Sequence, residues 1–126
     1  MVVCDRFYDS TTCYQAFAGG LDRDRVRAAN ELAVGTCRPL VTFVFDIDAQ
    51  AAAARRSNRT EDRMEAKGLA FQARVAEGFR AIAEEEPARV KLIDAARTIN
   101  AIHADVVAEL RAAGFSIPDD TEEAGR

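Results

Sequence analysis

Apolar and polar positions fall into short blocks along this chain, and the period inside each block separates strands from helices. The densest apolar run is Leu40-Val41-Thr42-Phe43-Val44-Phe45. It is apolar at successive positions, which predicts a parallel strand covered on both faces. Pro39 precedes it, where a missing N–H does least harm. Val2–Cys4 reads as the end of a buried strand, and Arg89–Asp94 as a short strand around Val90, Leu92 and Ile93. The helical blocks lie between. Ser10 or Thr11 is expected to cap a helix that runs to about Phe17 and ends at Gly19-Gly20. Asp22 caps the next helix, with Leu21 placed to meet Val26 as a hydrophobic staple, and Gly35 stops it after Val34. Asp48 can cap an alanine-rich helix. Met64, Phe71, Val75, Phe79 and Ile82 form one apolar stripe on a helix from about Asp62 to Glu85. Ile99, Ile102, Val106, Val107 and Leu110 make one face of a last helix, closed by Gly114. Alternation of this kind predicts an α/β fold with a parallel sheet. No internal repeat is visible.

Length and charge narrow the picture. The chain has 126 residues and a formal net charge of −4, enough for one core and without the basic excess of a nucleic-acid-binding surface. No apolar run approaches a membrane span. The start has no basic region followed by a long apolar stretch, so no signal peptide is expected. Cys4, Cys13 and Cys37 form no CxxC pair, and the only histidine is His103. The cysteines read as reduced thiols and apolar fillers in a cytoplasmic protein. His103 reads as a helix-boundary residue with no catalytic task.

The candidate chemistry concentrates in two places. In "VVCDRFYDSTTCYQ" an apolar run stops at Asp5-Arg6. Ligands of open α/β sheets sit at the carboxyl ends of strands. A strand-end Asp can organise magnesium, and an Arg fork matches phosphate oxygens. Thr11, Tyr14 and Gln15 would project from the first turns of the following helix, whose amides also favour anions. The stretch therefore reads as a phosphate-and-base pocket, or else as a local Asp5–Arg6 salt bridge beside a cap. The second place is Arg55-Arg56-Ser57-Asn58-Arg59-Thr60-Glu61-Asp62-Arg63, a polar joint between helices. Its arginines either close over a polyphosphate or form a solvated turn. Asp46 and Asp48 resemble a DxD metal pair, but alternate strand residues point to opposite faces, so capping by Asp48 is the better reading.

Taken together, these stretches resemble thymidylate kinase, a P-loop nucleoside-monophosphate kinase family. "VVCDRFYDSTTCYQ" resembles its DR-aromatic motif and following helix. "LVTFVFDIDAQAAAARR" is similar to its strand ending in Asp-x-Asp. "RTEDRMEAKGLAFQARVAEGFRAIAEEEPARVKLIDA" resembles the stretch from the mobile lid to the next strand, and "INAIHADVVAEL" is similar to the closing helix. "CRPLVT" departs from the family's usual Pro-Asp, with Leu40 where Asp is common. The resemblance implies a three-layer, Rossmann-like parallel sheet over residues 1–116, with a lid near 55–63. The tail it leaves uncovered, 117–126, is acidic and expected to be flexible.

The resemblance also implies roles. ATP would donate its γ-phosphoryl to dTMP, giving dTDP, with Mg2+ as cofactor and a homodimer as the expected assembly. Arg6 would bind the dTMP phosphate and help hold the transferring group. Asp5 would lie near the metal, acting through water. Ser10 and Thr11 would contact the phosphate end and the pyrimidine edge, Tyr14 the sugar, with Gln15 adjacent. Arg55, Arg56 and Arg59 would cover the ATP phosphates, with Arg56 and Arg59 assisting transfer. However, no GxxxxGK[ST] stretch occurs in these residues, although in the family it cradles the ATP phosphates. The sheet is therefore expected to be incomplete, lacking its first strand and P-loop. That strand would lie between the DR strand and the "TFVFD" strand, so these two must pair directly or leave a gap. The chain alone is expected to be inactive, less stable than a full domain and prone to associate. Two alternatives stay open: a non-catalytic fragment that binds dTMP weakly or acts through a partner, and another nucleotide or deoxynucleoside kinase with a similar DR motif.

Overall fold

A computed structural model of the chain describes residues 1–56 and 65–118. Met64, Arg59, most of the arginine-rich joint and the end of the acidic tail lie outside these residues. The described elements run in the order α1 (Tyr8–Thr11), a π-helical segment (Thr12–Phe17), α2 (Arg23–Val34), β1 (Thr42–Asp46), α3 (Ala49–Arg56), α4 (Glu65–Glu85), β2 (Val90–Asp94) and α5 (Ile99–Ala112).

β1 and β2 pair in parallel, with Thr42 opposite Val90 and Val44 opposite Leu92. Partners in a parallel ladder share a face. On one face Val44 and Val90 meet Val75, Ile82 and Ala83 of α4 and Cys13 of the π-helical segment, forming the core. On the other face Lys91 pairs with Glu109 of α5 at 3.7 Å. The sheet thus has helices on both sides, a partial three-layer α/β fold.

Several local expectations hold. The Asp22 carboxylate accepts from the Arg25 amide, and α2 ends at Gly35 with φ of 55°. Asp48 accepts from the amides of Gln50 and Ala51 at 2.9 and 3.2 Å. Asp46 pairs with Arg80 of α4 at 2.9 Å. Thr98 caps α5, and Gly114 follows its end with φ of 92°.

Others are corrected. Val2–Cys4 is not a strand: Val2 and Val3 are 94% and 84% exposed, because no described strand lies beside them to accept their backbone groups. Of the two outcomes expected, direct pairing of this segment with "TFVFD" does not occur: the described sheet holds β1 and β2. Strand β1 starts at Thr42 and is covered on only one face. Phe45 is exposed, since α5 packs on β2. Ser10 and Thr11 do not cap their helix; Phe7 occupies the N-cap position without a side-chain bond. Leu21 is too exposed to staple Val26. Ile99 also lies outside the packed face of α5, in its first, solvent-facing turn.

Only Cys13 is an apolar filler; Cys4 and Cys37 are exposed thiols. Burial pushes the Cys13 thiol from 9.0 up to about 12, with the Asp9 charge adding to the rise. The native state therefore keeps this proton above the pH at which the unfolded chain releases it. Stability that is full below about pH 8.5 should fall as pH rises towards 12, by about 1.4 kcal/mol per unit from this group. Urea unfolding of wild type and Cys13→Ala at pH 8, 9 and 10 reads the slope. A thiol reagent at pH 8 should modify Cys4 and Cys37 and reach Cys13 only after denaturation. Rapid native modification of all three would contradict the burial.

Candidate active site

Arg6 sits at a bend, with φ of 63°. A non-glycine residue in this left-handed region costs about 1 kcal/mol or more and persists where its surroundings enforce it. Its guanidinium lies over the Tyr14 ring, 4.7 Å from the centroid. Tyr14 in turn packs against Phe71 of α4, with ring centroids 5.8 Å apart and tilted by 58°. Arg74 stands over Phe71 at 6.0 Å. A ladder of cation, ring, ring and cation therefore joins the bend to α4. Each cation–π step at an exposed site contributes about 0.5–1 kcal/mol.

The π-helical segment carries this arrangement. Its wide turn is closed by the Ala18 amide donating to the Cys13 carbonyl at 3.0 Å. Such turns recur at functional sites. The chain then doubles back so tightly that a Cβ on Gly19 would come 2.7 Å from the Gln15 and Tyr14 carbonyl oxygens.

The structure brings Arg6 and Tyr14 together. Ser10 is half-buried in the first turn, while Thr11 and Gln15 are exposed on the same helical run. Asp5 is exposed and forms no ion pair with Arg6 among the described residues, so the salt-bridge reading is not realised. Arg55 donates to the Ala95 carbonyl at 3.0 Å, beyond the end of β2. Arg56 is exposed at the end of α3, and Arg59 lies outside the described residues. Among the described residues no hydrogen bond, ion pair or ring contact joins Arg55 or Arg56 to Arg6 or Tyr14.

No group of three or more His, Cys, Asp or Glu side chains could hold a metal among the described residues. A lone exposed Asp5 suits magnesium carried mainly by substrate phosphates and water, which is this ion's usual coordination; it does not suit a protein cage.

Two paired, sheltered side chains beside the site were not foreseen from the sequence. Asp9 is buried, and Arg89 reaches it with both terminal nitrogens at 2.8 and 2.9 Å. The Arg89 guanidinium also lies over the Tyr8 ring, 5.1 Å from its centroid. The pair raises the Arg89 pKa above its usual range, chiefly through the hydrogen bond to Asp9. Asn30 adds a bond from its amide to the Thr12 hydroxyl at 2.9 Å. No local pattern links residues so far apart in the chain. A cleft of about 180 Å3 adjoins this cluster and is lined by Tyr8, Asp9, Thr12, Arg23, Asn30 and Arg38 among others. Arg23 pairs with Glu85 and Arg38 with Glu31 along its wall, and none of Arg6, Thr11, Tyr14 or Gln15 lines it.

The thymidylate kinase family model matches residues 1–106. The chain belongs to the thymidylate kinase family. It is 40% identical over 106 residues to the thymidylate kinase of Symbiobacterium thermophilum, covering 84% of this chain and 50% of that protein. It is 43% identical over 95 residues to that of a Synechococcus strain, covering 75% of this chain and 45% of that protein. The crystal structure of thymidylate kinase from Ehrlichia chaffeensis superposes with a TM-score of 0.66 at 30% identity, over 88% of this chain and 50% of that one. The chain thus spans about half the length of the thymidylate kinases it matches. Among its described residues, no helix is long and apolar enough to cross a membrane.

Proposed function

We propose that this chain supplies the monophosphate side of a dTMP kinase site, in which the γ-phosphoryl of ATP passes to dTMP to give dTDP. The carrying observation is Arg6, held at a strained bend over the Tyr14 ring at 4.7 Å. A guanidinium presents a planar fork to phosphate oxygens, and an aromatic beside it can pack against the sugar. Ser10 and Thr11 share the same helical run and would bond the phosphate end and the base edge, with Gln15 next to them. Arg55, Arg56 and Arg59 would neutralise the ATP phosphates. Catalysis of this type is positioning and charge neutralisation. Bound magnesium would supply further neutralisation between the phosphates, and Asp5 would orient its waters. The three free cysteines support a reducing, cytoplasmic setting. A homodimer belongs to the same proposal; Leu32 on α2, 89% exposed, is apolar surface that it would cover.

Because the chain spans about half of its relatives, turnover and binding are separate questions. The test offers ATP, magnesium and either dTMP or thymidine, and measures both calorimetric binding and ADP release. Selective dTMP binding without turnover is expected. ADP release with dTMP that vanishes in Arg6→Ala would make the chain a kinase by itself. Equal binding of dTMP and thymidine would remove the phosphate-reading role of Arg6.

A further inference from the structure

The first amides of a helix without a side-chain cap lack partners, so its first turn frays unless something else holds it. Helix α1 has no side-chain cap at its start, just after the strained Arg6, and it runs on through Thr11 and Thr12 into the π-helical segment that carries Tyr14. What holds its first turn comes from outside the helix. Arg89 meets two consecutive residues of its first turn: the Tyr8 ring at 5.1 Å and both oxygens of Asp9 at 2.8 and 2.9 Å. Arg89 is itself fixed. It donates to Glu86 at 2.8 Å and to the Thr42 hydroxyl at 3.1 Å, and its carbonyl accepts from the Thr42 amide at 2.8 Å. The clamp therefore ties α1 to the starts of both strands.

We propose that Asp9 and Arg89 are positioning residues for Arg6: the buried clamp locks the first turn of α1 and so holds the Arg6 fork where a phosphate is read. This rests on the monophosphate-site reading above. Neither side chain need touch the substrate. Only a planar guanidinium can pair bidentately with Asp9 and stack on Tyr8 at once. The ladder from Tyr14 to Phe71 is a separate anchor, so loosening the clamp frees the Arg6 end and leaves the Tyr14 end packed.

The test uses NMR of this chain, which needs no ligand. Arg6 side-chain protons lie over the Tyr14 ring and should be shifted upfield. In Asp9→Asn, and in Arg89→Lys, which keeps the charge but loses the fork, that shift should collapse towards the unfolded-chain value while Tyr14–Phe71 contacts persist. Unchanged Arg6 shifts in a folded variant would overturn the proposal. A variant that fails to fold leaves the wild type to decide. There the Ser10 amide, bonded to the Phe7 carbonyl at 3.0 Å, should exchange as slowly as the amides of β1. Exchange at the rate of a frayed terminus overturns the clamp. A ligand arm adds a second readout. Asp9→Asn should lower dTMP affinity about tenfold and leave thymidine affinity unchanged, whereas general destabilisation would not separate the two ligands. A wild-type chain that binds dTMP and thymidine alike refutes the phosphate reading, and the spectra still decide whether the clamp positions Arg6.

Discussion

Replacing Arg89 with methionine should lower the unfolding free energy by about 3–5 kcal/mol, the usual cost of removing one partner from a buried ion pair. The two side chains are 13% and 7% exposed. Methionine keeps much of the packing stem but leaves the Asp9 carboxylate in the interior with no cation. Such a carboxylate costs far more unpaired than the intact pair contributes. The deficit should therefore shrink when Asp9 is also changed to Asn, and a double-mutant cycle should show strong coupling. Urea unfolding measures all of this, read as a shift in midpoint at constant slope. A loss below about 1 kcal/mol for Arg89→Met would mean that the pair behaves like a surface one.

Replacing Arg6 with glycine should separate stability from binding. Glycine adopts a φ of 63° without a Cβ penalty, so the variant should gain about 1 kcal/mol of backbone strain relief, less the cation–π contact over Tyr14. Its dTMP affinity should nevertheless fall about 10–100-fold, since charge-assisted hydrogen bonds contribute about 1.5–3 kcal/mol. Thymidine, which has no phosphate, should bind as before. Arg6→Ala should lose the same affinity without the backbone relief. Calorimetry with the two ligands, beside thermal unfolding of the three proteins, reads both effects. A glycine variant no more stable than Arg6→Ala, which loses the same ring contact, would show that the bend is not strained.

The contrast between these two sites follows the contrast between near and distant residues. Asp22 and Gly35 bracket α2 as expected, because a cap is a bond between residues no more than four apart. The same holds for Asp48 at the start of α3. The stripe through Phe71, Val75, Phe79 and Ile82 needed only helical spacing, and its members line or border the core. The DR bend followed by hydroxyls, an aromatic and an amide was visible as candidate recognition chemistry for the same reason.

Expectations failed where an apolar or polar residue needed a partner from elsewhere. Val2 and Val3 have strand composition, but a strand exists only beside another, and none described stands there. Phe45 is as apolar as Val44, yet Val44 joins the core beside α4 while Phe45, on the opposite face of β1, stays exposed. Ser10 and Thr11 are good capping residues, but Arg89 holds Tyr8 and Asp9 and moves the helix start ahead of them.

Spacing along the chain established the α/β alternation, the helix ends, and the Arg6–Tyr14 stretch as the place to look, because each depends on interactions within a few residues. The pairing of Asp9 with Arg89, the stacking of Tyr14 on Phe71, and which thiols are sheltered arise from segments up to 80 residues apart. Those contacts exist only once the chain has folded, since folding sets which distant side chain arrives at each polar group or ring.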